Sequence, residues 1–226
     1  EETCGARMTF NYNTIGGVRA DIHPGFVQAV KDLIAIMPSR LKEYHQLVTG
    51  NVIFQNRLRN VGVLSREEAI SYGVAGPSGR ASGWACDLRK NNPYAVYGEL
   101  DFEQVVMDGC DSFDRYYVRM KEIEQSVKIL EQLVDNIPEG DYCAKVPKII
   151  KLPVGHWFQS VEACRGAFGV YIDSRGEKNP YRMKVNGTCL RLAGIVDRLT
   201  RGEKIADLIT IGGSLDYIVP EDRKST

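Results

Sequence analysis

The sequence predicts an α+β fold: a mainly helical core with one long helix and a small antiparallel sheet. Three observations predict it. Apolar residues recur at helical spacing on both sides of the chain, and the longest such stretch runs from Asp111 to Asp135. Strand-like alternation is confined to residues 159–186. The order is helices, loop, long helix, small sheet, helices, with no βαβ alternation.

The elements follow in order. Gly16-Gly17 and His23-Pro24-Gly25 are turn signals. After them Phe26, Val30, Leu33 and Met37 share a helical face. Pro38 is expected to end that helix and Ser39 to cap the next, which stops at Gly50. A short helix covers Val52 to Leu58. Ser65 and Glu68 form a capping box that opens another, each satisfying an orphan amide of the other. Residues 73–110, rich in glycine with Pro77 and Pro93, read as loop with short extended pieces. The long helix carries the stripe Val118, Ile123, Val127, Leu130 and Val134, and Pro138-Glu139-Gly140 ends it. A connector over 141–155 leads to three strands, "QSVEA", "AFGVYID" and "YRMKVN", the last two joined through Ser174-Arg175-Gly176-Glu177. Helical spacing returns in "LRLAGIVDRLTRG" and "KIADLITIGGS". One domain over 1–226 is expected, with a helical part to about 140, the sheet at about 155–187 and C-terminal helices from 188.

Composition excludes several classes. With 29 basic and 29 acidic side chains there is no net charge to attract nucleic acid or an anionic membrane surface. No apolar run approaches the roughly 20 residues that span a bilayer. Cys4, Cys86, Cys110, Cys143, Cys164 and Cys189 stand singly, without C-x-x-C spacing, and are expected to be buried free thiols. His23, His45 and His156 are too scattered for a metal cluster, and His45 is expected to serve packing or surface. "GVAGPSGRASG" lacks both phosphate-binding glycine patterns, and no G-x-S-x-G elbow occurs. Glu67 and Glu68 complement a helix dipole.

Three charged clusters stand out. "RASGWACDLRKNNPY" crowds Arg80, Asp87 and Arg89 between turn glycines; "CDSFDRYYVRM" places Asp114 beside Arg115; "PEDR" lies near the C-terminus. These are candidates for pinning loops through bidentate arginine–carboxylate bonds, or for direct contact with a ligand or interface.

In this order the clusters resemble the C-terminal part of the D (49-kDa type) subunit of NADH–quinone oxidoreductase (respiratory complex I), a relative of the [NiFe] hydrogenase large subunit. The matching pieces are "CGARMTFNYNTIGGV", "NRLRNVGVLSREEAISYGVAGPSGRASGWACDLRK", "PYAVYGELDF", "DSFDRYYVRMKEIEQSVKIL", "VEACRGAFGVYIDSRGEKNPYRMKV" and "LDYIVPEDR". The resemblance implies a [NiFe]-hydrogenase large-subunit-like fold and a fragment of a longer subunit whose N-terminal part, with its own quinone-side His and Tyr, is expected to precede Glu1. It implies work in a quinone-reducing module. Quinone, the substrate, would enter between this chain and the iron–sulfur B subunit, and its reduction would be coupled to proton translocation. No cofactor is expected on this chain. NADH and the [4Fe-4S] cluster belong to neighbouring subunits, and the C subunit and the membrane-arm subunits are further partners. The expected place is peripheral, on the cytoplasmic side of the inner (plasma) membrane, and the isolated chain is expected to be inactive.

Carried over position by position, the quinone-chamber candidates are Arg165, Ser174, Asp216 and Ile218. Ala167 stands where the family has a Glu that could partner Arg165. Two rivals remain: a membrane-bound energy-converting hydrogenase and a non-redox structural homologue. Against the first, residues 216–223 read "DYIVPEDR", without the thiolates that nickel needs. A fragment is further expected to expose large apolar patches and to self-associate.

Overall fold

The computed structural model describes residues 1–7 and 10–218. Near the start, β1 (Asn13–Thr14) and β2 (Gly17–Val18) form a minimal hairpin, which Gly17 ties to Cys143 in the later connector.

Helix α1 spans Phe26–Tyr44 and runs straight through Pro38, then continues as a π-helical turn over His45–Thr49 to Gly50. The expected break at Pro38 is therefore corrected. Proline's fixed φ is helical, so an interior proline costs a hydrogen bond and some crowding. Packing of α1 against the long helix outweighs that cost. Ser39, expected as a cap, donates its hydroxyl instead to the carbonyl of Ile36 at 2.8 Å.

Helix α2 (Val52–Leu58) has the expected bounds, with the Asn51 side chain capping Ile53 and Phe54. The capping box of α3 (Arg66–Tyr72) forms as expected, and Gly73, at φ +67°, stops the helix. The stretch expected to hold extended pieces contains instead short helices, α4 (Gly76–Arg80), α5 (Leu88–Asn91) and a 3-10 turn at Tyr97–Glu99, with no strand. Pro77 in the first turn favours α4, and Asp87 caps α5 by accepting from the Arg89 amide. Its first part lies inside the protein: residues 76–82 are buried throughout.

The long helix α6 spans Ser112–Leu133, capped by Asp111, whose Oδ1 accepts from the Asp114 amide at 2.9 Å. Strands β3 (Val154–Ala163), β4 (Gly166–Arg175) and β5 (Arg182–Asn186) make one antiparallel sheet in that order. Strand β3 begins five residues before the expected Gln159, because β4 pairs with it along its full length, from Val154↔Arg175 to Ala163↔Gly166. Only Cys164 and Arg165 connect the two strands.

Helices α7 (Cys189–Thr200) and α8 (Ile205–Leu215) close the chain. The core lies between α3, α7 and α8: Leu64, Ala69, Val74, Leu192, Ile195, Leu199, Ile211 and Leu215 are buried together. The protein is thus α+β and mainly helical, as the sequence predicts. Among the described residues no helix is long and apolar enough to cross a membrane.

Candidate functional site: an arginine-lined cavity at the end of the sheet

Arg80 sits at the end of α4 with 1% of its side chain exposed. Its Nε donates to Glu122 of α6 at 2.8 Å, and its NH1 donates to Glu162 of β3 and to the Cys86 carbonyl, each at 2.8 Å. Asp87 lies 3.9 Å from the same NH1 and is gripped by Arg89 through two bonds, at 3.0 and 2.7 Å. The other oxygen of Glu162 accepts from the Leu88 amide at 3.1 Å. One guanidinium thus joins α4, α5, α6 and β3. Burial alone would push the Asp87 carboxyl up, but the Arg89 hydrogen bond and the Arg80 and Arg89 charges outweigh it and hold it below its ordinary value.

The same arginine lines a cavity of about 390 Å³, together with Arg89, Arg119, Glu162, Cys164 and Asp216. At its edge, in the two-residue turn between β3 and β4, Arg165 reaches Asp216. Arg165 Nε donates to the Asp216 carbonyl and lies 3.2 Å from Oδ2, while NH2 donates to Oδ1 at 3.3 Å. NH1 points to the Cys164 sulfur at 3.2 Å. Burial opposes the Arg165 charge, but Cys164 and Asp216 outweigh it and raise its affinity for its proton. Ala167 faces Glu162 across the strands, so the partner of Arg165 comes from Asp216, fifty-one residues away, and does not depend on position 167. Asp216 is also the C-cap of α8, in the left-handed region at φ +57°, its amide bonded to the Gly212 carbonyl.

A close approach of two backbones fixes the place of Arg165. A Cβ on Gly76 would stand 2.4 Å from the Cα of Gly166, and both glycines have positive φ, +71° and +130°. Only glycine fits at both, so α4 and the start of β4 touch directly.

The structure brings two of the four quinone-chamber candidates together, Arg165 and Asp216, and Asp216 lines the cavity that Arg80 and Arg89 also line. Ser174 stands at the other end of β4, nine residues on and so roughly 30 Å away. It is buried, its hydroxyl donating to the Leu152 carbonyl and accepting from the Gly176 amide. Ile218 lies two residues past Asp216 with its side chain half exposed and its amide directed at the Cys189 sulfur at 3.3 Å.

Asp114 and Arg115 do not pair with each other. Adjacent helical residues point in different directions. Asp114 accepts from the Gly109 amide at 2.7 Å, and burial, reinforced by Asp111 and Asp108, raises its carboxyl despite that bond. Arg115, wholly buried, donates to neutral oxygens: the Gly62 carbonyl at 2.8 Å, Ser112 at 2.9 Å and Ser214 at 3.0 Å. Desolvation pushes it down to about 10.

The "PEDR" cluster lies outside the described residues. Among the described residues the cysteines form no disulfide, as expected, but of the six Cys189 alone is buried, whereas Cys164 is exposed at the cavity. His45 packs through Nδ1 on the Thr49 hydroxyl at 2.9 Å. Among the described residues no three His, Cys, Asp or Glu side chains gather as a metal site. Sequence reasoning did not single out Glu122, Glu162 and Arg119, which sit on a regular helix and strand. The available signals were the cluster "CDSFDRYYVRM", which contains Arg119, and a lone carboxylate in the strand "QSVEA".

The fold and site define a mainly helical protein that presents buried arginine–carboxylate pairs at one end of a small sheet. A sequence profile of the family described as respiratory-chain NADH dehydrogenase, 49 Kd subunit, matches residues 1–152 and 146–223, and the chain belongs to that family. It is 58% identical over 98% of its length to the C/D subunit of the NADH-quinone oxidoreductase of Phocaeicola vulgatus, spanning 43% of that protein. To the D subunit of the NADH-quinone oxidoreductase of Bacillus cytotoxicus it is 46% identical over 97% of its length, spanning 60% of that protein. The chain thus spans about half the length of these relatives. Among solved structures, one described as that of the membrane-bound sulfane sulfur reductase, an archaeal respiratory membrane complex, contains a chain that superposes with a TM-score of 0.90. That chain shares 37% identity, over 97% of this chain and 61% of its own length.

Proposed function

We propose that this chain is the C-terminal portion of a D subunit and forms one wall of the quinone-binding chamber of an NADH–quinone oxidoreductase. The Arg165–Asp216 pair, whose aspartate lines a cavity shared with the Arg80 cluster, carries this reading. A quinone headgroup carries two carbonyl oxygens that gain negative character on reduction. A guanidinium held in place by a carboxylate and a main-chain carbonyl is a preorganised donor for such an oxygen, and it needs no reorganisation during the reaction. The Arg80 network fixes another part of the cavity lining, because a cation and carboxylates bonded to several elements cannot drift apart without leaving a buried charge unpaired. The electrons would come from a [4Fe-4S] cluster in the neighbouring iron–sulfur B subunit. The residues of this chain would orient the headgroup and set the charge around it.

In this reading the chain sits peripherally on the cytoplasmic side of the inner (plasma) membrane with the B and C subunits and the membrane arm. Headgroup reduction is coupled there to proton translocation, and the chain is inactive when isolated. The identities of 46–58% to NADH–quinone oxidoreductase subunits favour quinone as acceptor over sulfane sulfur, the acceptor for which the 37% identical reductase is named. In membranes carrying the intact complex, Arg165→Ala and Asp216→Asn are expected to lower quinone reductase activity by about tenfold or more, the worth of one charge-assisted hydrogen bond. Normal activity in both variants, with the complex assembled, would overturn the reading.

A further inference from the structure

We infer that Arg119 is a positioning residue for the Arg165–Asp216 pair, an inference that rests on the chamber reading above. Arg119 lies on α6, one turn after Arg115, and its guanidinium lines the same cavity as Asp216 and Cys164. NH1 donates to the Arg115 carbonyl at 2.6 Å, and NH2 reaches the carbonyl of Leu215 at 3.4 Å. Leu215 is the last residue of α8, and the next carbonyl, that of Asp216, is the one that accepts from Arg165. Two guanidiniums from different elements therefore hold consecutive carbonyls at the negative end of α8, where cations are favoured.

The two arginines differ in one respect that assigns their roles. Arg165 meets the carboxylate of Asp216, whereas Arg119 forms no ion pair among the described residues. Its charge is kept although desolvation disfavours it and Arg165 repels it; Asp216 and Glu122 act in its favour. Asp216 sits in the left-handed region that often ends a helix and that aspartate enters more readily than most residues, so its placement depends on how the last turn of α8 is held. Arg119 holds the residue next to it: its NH2 ties the Leu215 carbonyl to α6, which helps to present the Asp216 carboxylate to Arg165 at one angle. Loss of Arg119 removes the tie at the Leu215 carbonyl, next to Asp216, while Ser214 stays bonded to Arg115 and Ser112 and both members of the pair remain in place.

The test uses the intact complex in membranes, with Arg119→Gln, Arg119→Lys, Asp216→Asn, Arg165→Lys and the double variant Arg119→Gln/Asp216→Asn. The quinone KM and kcat are measured against electron transfer from the complex's own donor to a soluble artificial acceptor, which reports assembly. Arg119→Gln is expected to raise the quinone KM by about tenfold with the artificial-acceptor rate unchanged. Arg119→Lys, which keeps one cationic donor, is expected to recover most of that loss. The double variant is expected to be no worse than Asp216→Asn alone, because residues acting through one group do not add.

A quinone KM within twofold of wild type in Arg119→Gln, while Asp216→Asn and Arg165→Lys are impaired, would overturn the inference and leave the chamber reading intact. Normal quinone kinetics in all three would overturn both. Loss of the artificial-acceptor rate in both Arg119 variants would reduce Arg119 to a fold-stabilising role and overturn the inference.

Discussion

Arg80 and Arg115 are both buried guanidiniums, and they are held by opposite means. Arg80 is surrounded by Glu122, Glu162 and Asp87, Arg115 by neutral carbonyl and hydroxyl oxygens. Removing Arg80 leaves buried carboxylates without a counter-charge, so Arg80→Met is expected to cost about 3–5 kcal/mol in urea unfolding. Arg115→Met leaves only neutral acceptors unpaired and is expected to cost less, about 1–3 kcal/mol. The acids predict opposite pH effects. Asp87 has its carboxyl lowered by folding, so its contribution is fully present above the ordinary value of 3.8 and is lost as pH falls through the lower folded value. Asp114 has its carboxyl raised, so ionisation at neutral pH works against the fold. Asp114→Asn, which keeps an acceptor for the Gly109 amide, is expected to raise the unfolding midpoint at pH 7. Arg80, Asp87 and Arg89 were visible in the sequence because they crowd between turn glycines, and Asp114 and Arg115 because they stand side by side. Glu122, Glu162 and Arg119 were not, because which residue a helix or strand turns toward a distant loop is decided by packing.

Elements whose ends carry local chemistry were the legible ones. The Ser65–Glu68 box and the bounds of α2 were readable since caps satisfy backbone groups within three residues. Pro38 misled because proline weakens a helix only by a few kcal/mol, which a long packed helix tolerates. The full length of β3 was hidden because strand length is set by its partner. Gly76 was likewise readable only as a turn signal, although its role is contact with Gly166. Gly76→Ala would force a methyl group into that backbone and is expected to displace Arg165 as well as destabilise the fold. Loss of quinone reductase activity greater than the fall in assembled complex would show the displacement.

Across the whole molecule, apolar side chains face outward where a monomer would cover them. Ile205 is 91% exposed, Ile209 80% and Ile53 75%, on the adjoining helices α8 and α2. The isolated chain is expected to self-associate, and Ile205→Lys with Ile209→Lys to shift its elution toward a monomer in size exclusion. The ten-pair ladder of β3 and β4 bears on how such chains can change over time. Glu162 meets Arg80 only because its strand presents that face, and one inserted residue would turn it to the other. Insertions and deletions should therefore collect in the connection at 176–181, while the two strands keep equal length. Counting residues between these landmarks in related chains would show whether that boundary holds.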